Sequence, residues 1–469
     1  MKLTESNFAK NARPLMEKLV AALNELYPYA SILLQDTSAM SCQVASTGTS
    51  VSENPLLTKR GFVARIHNGK GLFEYSFSDL SETSLPEVLE VIKKQAASIA
   101  SVCPIPSDDA CIFTEYASFD IDPDDLGTEE IVRRLTDIRE KAKAKDERIL
   151  DIAARVVWQK GTKLFVSKNR ALTQTILWTN GSIVALAAKG EEIKDYYKGF
   201  SLLGGAEVMN RMNEESVIDQ IVNTVIELLD SEEMIPGEYD CICDPETTGM
   251  IVHEAFGHGV EMDMFVKNRA LAKDFIGKRV ASDLVTMHDG AKAENECASY
   301  LFDDEGTLGQ DTLVIKDGIL LTGYADTTSA AKLGVQATGN GRRESFERKA
   351  YTRMTNTFFA PGSSTLDEMI ASISYGFLLE NPSSGMEDPK NWGIQCMVNI
   401  AREIKDGKLT GKVFSPIVLT GYVPDLLTSI SMMGNEIHLG GSGFCGKGYK
   451  EWVKVSDGGP YMKARIRLG

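Results

Sequence analysis

The feature that most constrains this chain is a pair of histidines five residues apart, His253 and His258, on a segment that has to begin as a helix. Glu238 to Cys243 has the pattern of a strand and stops at Asp244-Pro245. Aspartate is a good helix N-cap, and proline suits the first helical position because its missing N–H would find no partner there anyway. A helix is therefore expected from Pro245 through Met250, Ile251, Val252, Ala255 and Phe256, with the two histidines on it or just beyond. Imidazole is a preferred zinc ligand, and a carboxylate beside a metal can take a proton from a water, so Glu254, directly after His253, is placed for general base work. Histidines that share a metal from one helix normally stand four apart, about 40° around its axis; five apart, they diverge by about 140° on an ideal helix. Either these are two core histidines, or the helix is deformed. A π-bulge absorbs one residue, and Gly257 and Gly259 make such a distortion sterically cheap.

Two histidines do not complete a catalytic zinc site, which usually has three protein ligands and a water. Glu261, Asp263, His288, His438 and Cys445 are all candidates for the third, and local pattern does not choose among them. Glu261 and Asp263 are close enough in sequence to serve instead as partners that orient the imidazoles. Cys445 lies in the glycine-rich run from Gly440 to Gly448, with Lys447 nearby to favour a thiolate. That run lacks the spacing of a phosphate-binding loop.

At 469 residues the chain is too long for one ordinary core. The helix of Val217 to Leu229 dies out in Asp230-Ser231-Glu232-Glu233, and Pro236-Gly237 follows, so a boundary is placed near 235. Residues 1–235 alternate helices and hairpins: helical periodicity over Asn7 to Leu26 and from Thr128, a hairpin at Asn68-Gly69, and strands over 153–166 and 171–188, the latter turning at Asn180-Gly181. Residues 236–469 are rich in strand and turn signals, with hairpins at Asp317-Gly318 and Asp406-Gly407 and a capping box at Thr365 to Glu368. The expected fold class is α+β: an α/β N-terminal domain, then a mainly β C-terminal domain whose helix carries the His-Glu-x-x-x-His segment.

Composition excludes several functions. The formal net charge of −16 opposes nucleic acid, whose binding rests on neutralising phosphates. No run of eighteen apolar residues exists and the first residues lack a signal-peptide pattern, so a cytoplasmic protein is expected. Eight scattered cysteines without a Cys-x-x-Cys pair read as mostly buried thiols; Cys241 and Cys243 share a strand face, where packing is the simpler account.

The sequence resembles the TldD/PmbA family, also called modulator of DNA gyrase. The resemblance is carried by His-Glu-Ala-Phe-Gly-His-Gly-Val-Glu-Met-Asp (253–263), Gly-Asn-Gly-Arg-Arg (339–343), Arg-Met-Thr-Asn-Thr (353–357), Met-Gly-Asn (433–435) and Cys-Gly-Lys (445–447). It covers most of the C-terminal half. PmbA-like (TldE) chains usually lack the His-Glu-x-x-x-His motif, so the intact motif resembles the catalytic TldD type. The resemblance implies that His253, His258 and Cys445 hold one divalent metal, zinc or iron, and that Glu254 is the general base. It also implies a peptidase of unfolded or leader peptides that works as a homodimer or beside a PmbA/TldE-like subunit. The gyrase label implies no DNA binding. Arg353 to Thr357 reads equally as an extended edge whose Arg353, Thr355 and Asn356 contact the substrate backbone or as a structural strand, and His438 as a bystander or an oxyanion donor. Two rival readings stand: a non-catalytic partner subunit that keeps the motif, and a hydrolase of non-peptide amides.

Overall fold

The structure is a computed structural model that describes residues 1–96, 103–448 and 450–469. Its architecture is mixed α+β. One large sheet occupies the N-terminal half, in the order Leu72–Phe77, Lys59–His67, Tyr29–Ala45, Ile149–Ser167, Arg170–Lys189, Cys111–Glu115, with Gly48–Glu53 beside the second half of Tyr29–Ala45 and Glu192–Leu202 beside Arg170–Lys189. Its pairings are antiparallel except that of Cys111–Glu115. Successive side chains on a strand face opposite ways, so this sheet serves two masters. One face, with Ile32, Leu34, Val156 and Leu164, is covered by the apolar stripes of the helices Asn7–Asn24, Thr128–Lys143 and Glu215–Leu228. The other face, with Leu33, Phe165 and Leu172, packs on Leu301, Phe302 and Phe346 of the C-terminal half. The two halves therefore share buried surface.

Arg170–Lys189 runs straight through Asn180-Gly181, where a turn was expected. That dipeptide is used for clearance. A Cβ at position 181 would collide with Met212 Sδ, and Asn180 turns its amide toward the C-terminal half. The other turn signals hold: hairpins form at Asn68-Gly69, Asp317-Gly318 and Asp406-Gly407, and Thr365 and Glu368 make the reciprocal capping bonds.

The C-terminal half has two principal sheets. In the first, Tyr375–Asp388 pairs with both Gly237–Cys243 and Gly393–Lys405, and the chain of pairings through Met462–Leu468 and Ile417–Tyr422 closes into a ring. In the second, Asn356–Phe359 lies between Met287–Asp289 and Ser456–Gly459, so both of its edges are occupied. The histidine-bearing helix packs between the sheets. Gly249 lets it lie on the backbone of Gly458, and Ile251, Val252, Ala255 and Phe256 are fully buried. Burial of an aliphatic or aromatic side chain contributes about 1.5–3 kcal/mol apiece, which anchors the helix firmly. Cys241 and Cys243 belong to this core. No helix among the described residues is long and apolar enough to cross a membrane.

Candidate metal centre

The helix starts as the residues dictate: Asp244 accepts a hydrogen bond from Thr247 N at 2.7 Å, and Pro245 takes the first turn. After Ile251 the winding changes. Val252–Gly257 is a π-helix in which the His258 N–H reaches His253 O, and His258–Val260 continues as a 3-10 turn. The wider i→i+5 turn returns a five-residue gap to one side of the axis, which an α-helix cannot do. The deformation expected from the spacing is present, but glycine permits it differently. Gly257 sits at φ −56, which any residue adopts. What it provides is space, because a Cβ there would collide with Met354 Sδ. Its carbonyl accepts from the buried Tyr324 hydroxyl.

Both rings present Nε2 to Cys445. The sulfur lies 3.1 Å from His253 Nε2 and 3.3 Å from His258 Nε2. The three donor atoms stand within 4.8 Å of one another, the only such set among the described residues. Ligands on a tetrahedral zinc ion, at about 2.0–2.1 Å for nitrogen and 2.3 Å for sulfur, are separated by roughly 3.3–3.6 Å, so the donor set fits a metal of this kind. The opposite ring nitrogens support the fit. His258 Nδ1 faces Glu261 Oε2 at 3.6 Å, and His253 Nδ1, buried and without a hydrogen bond, faces Asp457 Oδ2 at 3.5 Å. A carboxylate behind each imidazole is the usual way to orient a metal-binding ring.

The electrostatics call for a cation. Burial would raise the Cys445 thiol, but the charges of His253 and His258 outweigh it and hold the thiol well below its ordinary range. Burial lowers His253, but the thiolate, with Asp457 and Glu254 behind it, pushes the ring up to about 9; His258 is raised against burial by Cys445 and Glu261. Ring protons here stand in for the positive charge that a thiolate and several carboxylates demand.

Glu254 borders the same cavity of about 770 Å³, and its Cγ rests where a Cβ on Gly385 would collide. Burial raises its carboxyl, while the two histidines draw it down. Glu261 and Asp263 lie outside the set of three clustered donor atoms. Lys447 Nζ bonds Glu261 Oε2 at 2.6 Å and Asp263 Oδ1 at 2.9 Å, so this lysine serves the carboxylate behind His258 and its neighbour Asp263, and not the thiol, as its sequence neighbourhood had suggested. His288 pairs with Asp311 and stacks on Phe358, and His438 is exposed on its own short strand; neither joins the cluster.

Arg353, Thr355 and Asn356 are held inside the protein. All three are fully buried. Arg353 donates to the Cys445 carbonyl at 2.9 Å, Thr355 binds Asp289 through backbone and hydroxyl, and Asn356 spends its amide on Gly290, Glu294 and Ser299. Sequence alone left a substrate edge and a structural strand equally open here because the partners are distant in sequence.

Two groups were missed from sequence: Asp457 and Glu387. Asp457 sits in Ser-Asp-Gly-Gly, which resembles a turn but is a strand beside the helix. Glu387 lines the cavity with both carboxylate oxygens buried and unpartnered. Burial pushes it up to about 9, partly offset by His258 and reinforced by Glu254. Its folded value thus lies above the ordinary value of about 4.3, so ionising it costs stability that is intact below about pH 4 and lost as pH rises toward 9. In metal-free protein, Glu387→Gln is expected to be more stable than the parent by about 1–3 kcal/mol at pH 8 and equal to it near pH 4. Urea unfolding at the two pH values checks this.

Residues 236–466 match the family described as PmbA/TldA metallopeptidase C-terminal domain. A metalloprotease TldD homolog from Buchnera aphidicola is 36% identical over 236 residues, 50% of this chain and 48% of that protein. The chain spans about half the length of the curated relatives it matches. Across nearly the whole chain the fold is similar to a modulator of DNA gyrase from Thermotoga maritima (TM-score 0.79, 16% identity, covering 97% of this chain and 100% of that one). It is also similar to TldE from Thermococcus kodakarensis (TM-score 0.75, 17% identity, 97% and 100% covered). The C-terminal half of this chain, residues 236–466, belongs to the TldD/PmbA family, and the whole length shares the fold of these two solved structures.

Proposed function

We propose that the chain is a metal-dependent peptidase that cleaves unfolded or leader peptides. The observation that carries this reading is the convergence of His253, His258 and Cys445 donors on one wall of a cavity with the Glu254 carboxylate beside them. The donor set suits one divalent ion, zinc first and iron second, since two imidazoles and a thiolate accommodate either. What the bound ion supplies is Lewis acidity toward a water and a carbonyl oxygen. Glu254 takes a proton on its carboxylate and returns it to the leaving amine. Glu261 and Asp457 hold the two imidazoles with Nε2 forward.

The substrate backbone is assigned to the strand Tyr375–Asp388. Its pairing with Gly237–Cys243 covers only residues 376–379, while Ser383 to Glu387 line the cavity. Strand addition at such an edge binds many sequences through main-chain hydrogen bonds. The partner is proposed to be a second copy or a PmbA/TldE-like subunit, by fold likeness to TldE. All eight cysteines are free, which suits the reducing cytosol.

The test is metal analysis of protein purified without chelator, with cleavage of an unfolded protein scored beside small amides. Stoichiometric metal in the parent, its loss by more than tenfold in affinity in Cys445→Ala, and cleavage of the unfolded protein alone are expected. Full occupancy in Cys445→Ala removes the thiolate from the site; turnover of small amides alone favours the amidohydrolase reading.

A further inference from the structure

Cys445 reaches the site on a small hairpin, Phe444–Cys445 paired with Val453–Lys454, which belongs to neither large sheet. The histidines are locked in the C-terminal core, but this hairpin rests on the N-terminal sheet. Trp178 meets the Phe444 ring edge-on at 5.8 Å between centroids. The buried Lys454 ammonium lies 4.7 Å from the centroids of both the Trp178 and Phe444 rings. Trp178 is itself fixed, its indole N–H donating to Gln159 Oε1 at 3.0 Å. Just upstream of the hairpin, the Asn180 amide donates to the Ser442 carbonyl at 2.9 Å, and Gly441 N–H donates to the Ser201 hydroxyl at 2.8 Å. Asn180 and Ser201 are opposite one another on neighbouring strands, and Trp178 is two residues from Asn180, so these groups share one face of the sheet.

We propose that this face is a clamp that positions the Cys445 thiolate, with Trp178 and Asn180 as positioning residues supplied by the N-terminal half. Adjacent residues on a strand point to opposite sides. Holding Phe444 down on Trp178 therefore turns Cys445 up toward the two imidazoles. Lys454 ties the second strand of the hairpin to the same two rings, a cation–π contact strengthened by exclusion of water. Metal affinity is accordingly set in part by residues more than two hundred positions away from the thiolate, in a half of the chain that contributes no ligand. The ring Phe444 and the ligand Cys445 are consecutive, so the coupling passes through a single peptide unit.

This inference rests on Cys445 being a metal ligand, and the test separates the two. Zinc affinity is measured by competition with a chromophoric chelator, and the thiolate-to-cobalt charge-transfer band is recorded on cobalt-substituted protein. Trp178→Ala is expected to weaken zinc binding 10–100-fold and diminish the band, with Trp178→Phe returning most of both. Because Trp178→Ala leaves a large void, Lys454→Met, which keeps the apolar stem and removes the charge, is measured beside it and is expected to weaken binding in the same direction. In a Cys445→Ala background neither substitution should cost further affinity, since coupled residues are not additive. An equal loss in that background, or no loss in either folded variant, overturns the clamp. A parent that takes up no metal refutes the ligand reading instead. The clamp is then read from alkylation of Cys445 in metal-free protein, located by peptide mapping: several-fold faster modification in Lys454→Met supports it, and an unchanged rate overturns it.

Discussion

Glu254→Gln is expected to lower peptide cleavage by 10²–10⁴-fold while metal content stays at that of the parent. At 1.36 kcal/mol per decade, this corresponds to about 3–5 kcal/mol of transition-state stabilisation. The separation of the two readouts follows from geometry. Glu254 lines the cavity but lies outside the set of three donor atoms, so its loss removes a proton acceptor and not a ligand. Glutamine has the same shape, so the close contact of the side chain with Gly385 is preserved and the helix has no reason to move. KM should change little, because the substrate backbone is assigned to the strand and not to this carboxylate. A non-catalytic partner subunit that merely retained the motif would show full function with metal bound after the same substitution. Cleavage within threefold of the parent would therefore favour that reading over the peptidase.

How much of this was legible in the sequence depends on how locally each feature is determined. The Asp244 cap, the Thr365 box and the turns at Asp317-Gly318 and Asp406-Gly407 rest on contacts within a few residues and were read directly. The π-helix was legible for a different reason: two histidines five apart can share one ligand-binding direction only if the winding widens. Cys445 was different. It stands 192 positions from His253, and its glycine-rich run and nearby Lys447 did not suffice to choose it over His288 or His438; the family resemblance did so. The burial of Arg353, Thr355 and Asn356 was not legible, because a polar run looks like surface unless its partners are known, and Asp289, Glu294 and Glu261 lie sixty or more residues away. Asn180-Gly181 failed as a turn signal for a similar reason. Its glycine makes room for Met212 and its asparagine bonds Ser442, both needs set by tertiary packing. The unpartnered Glu387 carried no local sign at all.

Arg353→Met is expected to destabilise the metal-free protein by roughly 3–5 kcal/mol, read from urea unfolding, because it breaks a buried charge network from one side. The Arg353 side chain is fully buried, and its guanidinium holds Glu261 Oε1 at 3.3 Å, the Cys445 carbonyl at 2.9 Å and the Glu451 carbonyl. Methionine fills much of the volume but takes the guanidinium donor away from both carbonyls and leaves Glu261 with Lys447 as its remaining lysine or arginine partner among the described residues. Lysine is no substitute, since a single ammonium cannot span three acceptors that a planar fork reaches at once; Arg353→Lys should recover less than half of the loss. The same change should weaken metal binding, because the carbonyl of the thiolate ligand and the carboxylate behind His258 are released together. A substrate contact at Arg353 would give a different result: KM raised, with unfolding and metal affinity unaltered. The stability measurement thus decides whether the Arg-Met-Thr-Asn-Thr segment reads the peptide or builds the site, and the full burial of Arg353, Thr355 and Asn356 favours the site.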